Sequence, residues 1–243
     1  MPDETEKPEE FPKFERVMIF SAHPDDPEFG AAGTLARLAA EGSCVNVVIC
    51  TDGSEGGEDP AVPDAELSAQ RYEEQRAASR ALGLNECLFL GQPDGRLTPS
   101  LEFRREITRE IRKFRPDLVL THYPTYNLDT GIGGYHPDHL AVGQATLAAV
   151  YPAARNPRAF RELLEEGLEP WKVREVWIPT WTSGDYFVDI TSTIDRKIAA
   201  LEAHKSQFTG WENWQEEIRK RSHEAGEKAG YEFAEGFKRI KIF

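Results

Sequence analysis

Short apolar segments alternate with longer, helix-like stretches along the chain as far as Tyr151. The apolar segments are bounded by turn residues and predict buried strands at 16–20, 44–50, 86–90 and 117–121. The stretches between and after them predict helices at 29–41, 65–82, 101–114 and 138–151. Strands that read as continuous apolar runs and alternate with helices indicate an α/β fold, with a mostly parallel sheet covered on both faces.

After residue 170 the pattern becomes less regular. It predicts strands at 173–179 and 186–190, and helices at 193–208 and 211–228. A chain of 243 residues can bury one large core, and no linker separates this region, so we expect a single domain over 14–243. Residues 1–13 are acidic and Pro-rich and lack the basic and apolar regions of a secretory signal. They predict a disordered leader in a cytoplasmic protein.

Composition and charge exclude several kinds of partner. A formal net charge of -13 repels phosphate backbones, so we expect no nucleic acid. No run of 18 apolar residues exists, so we expect no membrane span. Cys44, Cys50 and Cys87 are odd in number and lack CxxC spacing. We therefore expect buried thiols rather than a disulfide framework or a thiolate zinc site.

The loop after the first predicted strand concentrates groups that can do chemistry. In open α/β sheets, ligands bind outside the carboxyl ends of the strands. The loop at 21–28 holds His23 together with Asp25, Asp26 and Glu28. His23 and Asp26 could reach one zinc ion, which would leave Asp25 free to act as a base. The alternative is an ordinary acidic helix N-terminus, which would explain the carboxylates but not the imidazole.

A second loop, at 135–139, repeats the pattern where the fourth strand passes to its helix. A lone histidine is usually an ordinary surface or core residue, but two His-Pro-Asp tripeptides at two strand-to-helix junctions favour a shared site. If His139 lies in the first turn of the helix, it can face the same crevice as His23. Two imidazoles and one carboxylate with an open position are typical of catalytic zinc.

These two segments resemble a known family. The HPDDPE sequence at 23–28 resembles the HPDDxE signature of the LmbE-like, or PIG-L, deacetylases, and HPDH at 136–139 resembles their HxxH element. Weaker matches are the helix at 71–83, the Pro-Asp-Gly turn at 93–95 and the helix at 197–207. The resemblance spans roughly residues 16–208.

The resemblance implies a Rossmann-like three-layer α/β/α sandwich that binds Zn²⁺, or another divalent metal such as Fe²⁺, at the strand ends. It implies His23, Asp26 and His139 as the metal ligands. Asp25 would be the general base that activates water, and His136, as an imidazolium, would stabilise the oxyanion.

Other residues carry over with less detail. Arg71 and Asp94 match family positions that hold the sugar. The role of Tyr135 stays open, because it is not clearly aligned with the tyrosine that some members place before the HxxH element. For His204 we expect helix packing. For His122, at the end of the fourth strand, we expect a structural role, with support of a metal ligand as the alternative.

The expected function is that of a zinc-dependent hydrolase that removes an N-acyl group from an amino sugar or its conjugate. We expect this acyl group to be acetyl. The alternatives are an amidase or esterase for another acylated small molecule, such as a thiol-sugar conjugate, and a non-catalytic metal-binding or carbohydrate-binding protein. A nucleotide-dependent dehydrogenase is disfavoured because the first loop lacks GxGxxG. Family members often form homo-oligomers, so a homo-oligomer is included among the expectations.

Overall fold

A computed structural model of the protein describes residues 11–126, 135–180 and 184–243. Seven strands occur within these ranges. Their bounds are β1 (Arg16–Ser21), β2 (Cys44–Thr51), β3 (Glu86–Gln92), β4 (Leu118–Leu120), β5 (Glu175–Pro179), β6 (Tyr186–Asp189) and β7 (Ala234–Lys241). All seven belong to one sheet with the order β3-β2-β1-β4-β5-β7-β6.

Seven α-helices accompany the sheet in the described part of the chain. They are α1 (Asp26–Ala40), α2 (Asp64–Leu82), α3 (Leu101–Phe114), α4 (Pro137–Ala148), α5 (Arg161–Glu165), α6 (Ile194–Glu202) and α7 (Trp214–Glu227). None of the described helices is both long and apolar enough to cross a lipid bilayer.

The predicted mostly parallel sheet is confirmed. The neighbours from β3 through β2, β1 and β4 to β5 all pair in parallel, with Val17 opposite both Val45 and Leu118. β7 then pairs antiparallel with both β5 and β6. The sequence pattern missed β7, because its second half is exposed and carries charged residues such as Lys238 that hide the apolar signal.

Helices cover both faces of the sheet. Side chains along β1 alternate, so that Val17 and Ile19 join one apolar cluster while Met18 and Phe20 join the other. The first cluster contains residues of α1 and the start of α6, and a smaller alanine-rich cluster joins α1 to α2 and α6. The second contains residues of α3 and α4. This is the expected three-layer α/β/α sandwich.

Some element boundaries differ from the prediction. α1 begins at Asp26, so the end of the loop predicted at 21–28 forms the first turn of this helix. The helix predicted over 193–208 ends at Glu202 and is followed by a 3₁₀ turn at Lys205–Gln207. Residues 1–10 of the predicted leader lie outside the described residues, whereas Phe11 contacts the ring of Trp177 edge-on.

The order of strands fixes where a ligand can bind. β1 lies beside β4, and the chain runs from β1 to β2 and β3 on one side and from β4 to β5 on the other. The connections leaving β1 and β4 therefore part in opposite directions. A crevice opens at such a switch point, at the carboxyl ends of the strands.

Candidate metal centre and active site

Three side chains from the two sides of the switch point meet in a small volume. His139 Nε2 lies 3.2 Å from His23 Nδ1 and 3.0 Å from Asp26 Oδ1. Asp26 Oδ2 lies 3.5 Å from His23 Nδ1. The structure thus brings together the three residues that the family resemblance implies as ligands.

These separations suit a shared metal ion. Two ligands bound to zinc at about 2.0–2.2 Å with tetrahedral angles lie roughly 3.3–3.6 Å apart. The two imidazole nitrogens are 3.2 Å apart, and each lies near a different oxygen of Asp26, Oδ1 at 3.0 Å from His139 and Oδ2 at 3.5 Å from His23. Two imidazole nitrogens and one carboxylate oxygen are also a donor set that zinc accepts. The residues present therefore fit a divalent metal.

A tight turn folds Asp26 back onto His23. The His23 backbone N–H donates to Asp26 Oδ2 at 2.7 Å, and the Asp26 N–H donates to the His23 carbonyl at 3.3 Å. Asp25, between them, precedes α1 with φ 102° and ψ -28°, a left-handed conformation that only a few per cent of non-glycine residues adopt. Pro27 follows in the first turn of α1, where its missing N–H costs nothing.

His122 supports the ligands from the loop after β4. Its Nε2 accepts the Ala22 N–H at 3.0 Å, and its ring stacks on His139 with centroids 4.1 Å apart. α4 comes close enough for this contact at Gly143, where an added Cβ would lie 2.5 Å from the His122 carbonyl oxygen. The side chain expected to be structural is thus in direct contact with a candidate ligand.

The other ring nitrogen of His23 faces carboxylates. His23 Nε2 lies 2.9 Å from Asp94 Oδ1 and 3.4 Å from Asp138 Oδ2. Asp138 is fully buried and accepts the backbone N–H groups of Gly95 and Leu97. Metal-bound histidines usually donate their second N–H to such a carboxylate, which orients the ring and raises its basicity.

His23 also belongs to a second group of potential ligands, with Asp94 and His136. In that group His23 contributes Nε2, which lies 2.9 Å from Asp94, whereas its Nδ1 faces Asp26 and His139. An ion on one ring nitrogen with a carboxylate on the other is the usual arrangement of a zinc histidine. The geometry therefore favours the group of His23, Asp26 and His139.

The charges around the site call for a cation. Burial by itself lowers the pKa of His23, but hydrogen bonds with Asp138, Asp26 and Asp94 outweigh it and raise this pKa to about 12. Burial and the neighbouring Asp26 charge raise the pKa of Asp25 to about 7. Buried carboxylates are stable only with a positive partner, which the His23 imidazolium supplies here and which a divalent metal that displaces its proton would supply in its place.

Asp25 sits against Arg71, one of the two residues expected to hold a sugar. The Arg71 guanidinium lies 3.6 Å from Asp25 Oδ2 and donates to the carbonyls of Pro24 and Gly53 at 2.7 and 2.8 Å. The other, Asp94, accepts the Glu55 N–H at 3.0 Å. Both side chains are buried, with 3% and 4% of their surface exposed.

His136 stands at the rim of the site. It precedes α4, and its Nδ1 accepts the backbone N–H of Asp138 at 3.2 Å. That bond needs an unprotonated Nδ1, so the ring carries its proton on Nε2 as neutral imidazole. Burial, and then the charge of His23, lower the pKa of His136, which favours the same form.

A cavity of about 380 Å³ opens beside two of the three candidate ligands. This volume lies within the range of small-molecule sites. Tyr135, whose role was open, is half-buried in its wall. Other lining residues include Asp26, His122, Tyr123, His139 and Arg221.

Sequence reasoning missed two buried residues of the site, Asp138 and Gln75. Asp138 lies inside the HPDH segment, but no local signal shows that its carboxylate reaches the loop after β3. Gln75 lies on α2 and accepts the Asp25 N–H at 3.0 Å from 50 residues away. Contacts of this range depend on helix packing and leave no trace in local spacing.

Comparison with known proteins gives a consistent set of relatives. The family model described as PIG-L, GlcNAc-PI de-N-acetylase, matches residues 18–150. Diacetylchitobiose deacetylase of Thermococcus kodakarensis is 33% identical over 95% of this chain and 85% of its own length. The 1D-myo-inositol 2-acetamido-2-deoxy-alpha-D-glucopyranoside deacetylase of Actinosynnema mirum is 32% identical over 82% of both chains.

Solved structures agree on the fold. N,N'-diacetylchitobiose deacetylase from Pyrococcus horikoshii superposes with a TM-score of 0.86 at 31% identity, covering 94% of this chain and 84% of that chain. GalB, the 4-carboxy-2-hydroxymuconate hydratase of Pseudomonas putida, superposes with a TM-score of 0.78 at 22% identity over 94% and 97%. Because a protein named as a hydratase has this fold, the reaction must be argued from the site residues.

Proposed function

This chain belongs to the PIG-L family of de-N-acetylases, and on that premise we propose that it uses a bound zinc ion to hydrolyse the N-acetyl group of an amino sugar. The observation that carries the proposal is the meeting of His23 Nδ1, His139 Nε2 and the Asp26 carboxylate within 3.5 Å of one another. With three protein ligands, a tetrahedral ion keeps one position open, as catalytic zinc sites do.

Zinc, when bound there, supplies an activated water and polarises the amide carbonyl. Asp25 is the proposed general base. Asp25 lies in the tight turn between His23 and Asp26. Its pKa of about 7 suits a group that takes up and gives back a proton near neutral pH. It accepts the proton of the attacking water and then gives that proton to the leaving amine.

His136 is the proposed oxyanion donor. With Nδ1 accepting the Asp138 N–H, the Nε2–H is the remaining donor of the ring. The neutral ring can donate this hydrogen bond as well as the imidazolium that the family resemblance implied. Removing one such donor typically costs about 10²–10³ in kcat.

Arg71 and Asp94 are the proposed sugar contacts. Support comes from their place beside the reacting groups, 3.6 Å from Asp25 and 2.9 Å from His23. Because Arg71 also holds two backbone carbonyls, Arg71→Lys should raise KM and lower kcat together, whereas Asp94→Asn should raise KM and also weaken zinc binding, since Asp94 faces the ring of His23. Steady-state kinetics of both variants would separate these roles.

Amino sugars are the proposed substrate class. The names of the two relatives describe enzymes for acetylated amino sugars, one a disaccharide and one an inositol conjugate. A cavity of about 380 Å³ can admit an acetylated sugar ring.

The test is a substrate panel with the zinc-loaded protein. N-acetylglucosamine, diacetylchitobiose, an N-acetylglucosaminyl inositol, a thiol-sugar amide and O-acetyl esters would be assayed for released acetate, with and without chelator. The proposal expects amide cleavage of an amino sugar that chelator abolishes and zinc restores. Ester cleavage alone would favour the esterase alternative, and chelator-resistant cleavage would remove the metal from the account.

We also propose a cytoplasmic location and a homo-oligomer. The first is supported by Cys44, Cys50 and Cys87, which are free thiols as expected in a reducing compartment. The second comes only from the family resemblance. Light scattering of the purified protein would measure the oligomer directly.

A further inference from the structure

A line of hydrogen bonds runs through the protein interior to the backbone of Asp25. His204 Nε2 lies 3.2 Å from Glu28 Oε2, and the other Glu28 oxygen accepts Gln75 Nε2–H at 2.8 Å. Gln75 Oε1 in turn accepts the Asp25 N–H at 3.0 Å. The side chains of His204, Glu28 and Gln75 are all completely buried.

We propose that Gln75, Glu28 and His204 are positioning residues that hold the backbone of Asp25 in its left-handed conformation and so direct its carboxylate at the reacting water. This inference rests on the proposed function, since it assumes that Asp25 is the base. None of the three side chains needs to touch the substrate. His204 holds Glu28, Glu28 holds Gln75, and Gln75 holds the backbone N–H of Asp25.

The conformation of Asp25 needs such support. With φ 102° it lies in a region that is unfavourable for a residue with a Cβ, and such a conformation persists only where the surroundings enforce it. Its carbonyl accepts the N–H groups of Glu28 and Phe29 in the first turn of α1. The bond from Gln75 fixes the other side of the same residue. Without it the peptide between Pro24 and Asp25 keeps the bond from Arg71 to the Pro24 carbonyl but leaves the Asp25 N–H buried without its acceptor.

The order of donors and acceptors permits only one arrangement. A carboxylate accepts but cannot donate, so Glu28 must face the NH₂ group of Gln75, and the Gln75 oxygen must then face the Asp25 N–H. Burial by itself lowers the pKa of His204, but its hydrogen bond with Glu28 and the Glu28 charge outweigh this and raise it. Through Nε2, His204 thus supplies an N–H to a buried carboxylate.

The turn after α6 is built to present His204. Ser206 donates from both its N–H and its hydroxyl to the carboxylate of Glu74 on α2, at 3.1 and 2.6 Å. Gln207 Nε2–H donates to the Gly56 carbonyl at 3.1 Å. These bonds tie the turn to α2 and to the loop after β2. The sequence suggested only helix packing for His204. The bonds of Ser206 and Gln207 instead hold the turn in place, and with it the contact between His204 and Glu28.

The first test replaces Gln75 in the zinc-loaded enzyme. Gln75→Met keeps the length of the side chain and removes both hydrogen bonds. We expect kcat to fall about 10- to 100-fold, as for a catalytic group displaced by about 1 Å, with KM changed less than about twofold and the zinc content unchanged. Ser79→Ala is the matched control, because Ser79 is also buried on α2 but lies outside this line of bonds. It should retain wild-type kcat.

A swap of residues tests the order of donors and acceptors. Gln75→Glu alone places two carboxylates face to face and should lower kcat at least as much as Gln75→Met. The double variant Glu28→Gln/Gln75→Glu restores one donor and one acceptor at each contact, with a single negative charge. We expect it to recover most of the lost kcat. A double variant as impaired as Gln75→Glu would overturn the proposed arrangement.

A measurement that does not depend on activity separates this inference from the proposed function. Hydrogen exchange of the Asp25 amide, followed by NMR, should become at least about tenfold faster in Gln75→Met and stay unchanged in Ser79→Ala. Unchanged exchange in Gln75→Met would overturn the positioning role even in an active enzyme. Faster exchange in a protein that cleaves no substrate on the panel would preserve the positioning role and refute the deacetylase proposal instead.

Discussion

A buried ion pair that is hydrogen-bonded to the backbone of α1 offers a sharp test of how the site is supported. Lys197 on α6 and Glu235 on β7 are 1% and 5% exposed, with Lys197 Nζ 2.7 Å from Glu235 Oε1. Lys197 also donates to the carbonyl of Phe29 at 2.9 Å, and Glu235 accepts the N–H groups of Gly33 and Thr34 at 3.0 and 2.8 Å. The pair therefore joins three elements through the backbone of the helix that begins with Asp26.

The expected cost of Lys197→Met follows from these contacts. Removing one partner of a buried ion pair typically costs about 3–5 kcal/mol, because the other charge stays buried without compensation. Glu235 keeps two N–H donors, so we expect the lower end, about 3 kcal/mol. For a chain of this size, each kcal/mol lowers Tm by about 2–4 °C, which gives a decrease of about 6–12 °C.

The assay is chemical denaturation and calorimetry of the zinc-loaded protein. The matched control is Lys220→Met, where the exposed Lys220 Nζ lies 4.0 Å from Glu224 on the same helix. An exposed pair of this kind contributes about 0.5 kcal/mol or less. A stability loss below about 1 kcal/mol in Lys197→Met would refute the view that a buried charge is left uncompensated.

Two further predictions concern the surroundings of the site. Gly143→Ala places a Cβ 2.5 Å from the His122 carbonyl oxygen, so α4 must shift. We expect weaker zinc binding, because α4 carries His139. An unchanged zinc affinity, measured by competition with a chelator, would contradict this. The raised pKa of His204 makes its pairing with Glu28 stabilising below its ordinary value of 6.5 and progressively less so as pH rises through the raised value. Unfolding free energies between about pH 6 and pH 9 should therefore fall more steeply in the wild type than in His204→Gln, and parallel curves would exclude this linkage.

Much of the fold could be predicted because buried parallel strands have a strong sequence signal. β1 to β4 read as apolar runs in the sequence. The observed ends of β1, β2 and β3 lie within two residues of the predicted ones. β7 could not be found in this way. It pairs antiparallel inside the sheet, and Lys238, Arg239 and Lys241 interrupt the apolar pattern in its second half.

The candidate ligands could be suggested from sequence because two local motifs carry them. His23 and Asp26 are brought together by a turn of four residues, and His139 lies in the first turn of a helix. The rest of the site depends on distant contacts. Glu28 meets Gln75 from 47 positions away and His204 from 176 positions away. Only the packing of α1, α2 and the turn after α6 brings these side chains into contact.

The central claim is that His23, Asp26 and His139 hold one catalytic metal ion. Zinc per chain would be measured by mass spectrometry in the wild type, Asp25→Asn and His139→Ala after identical purification, with folding checked by circular dichroism. We predict about one zinc in the wild type and in Asp25→Asn, with turnover lost in the latter, and little zinc in a folded His139→Ala. A full complement of zinc, bound with wild-type affinity by His139→Ala, would contradict the account.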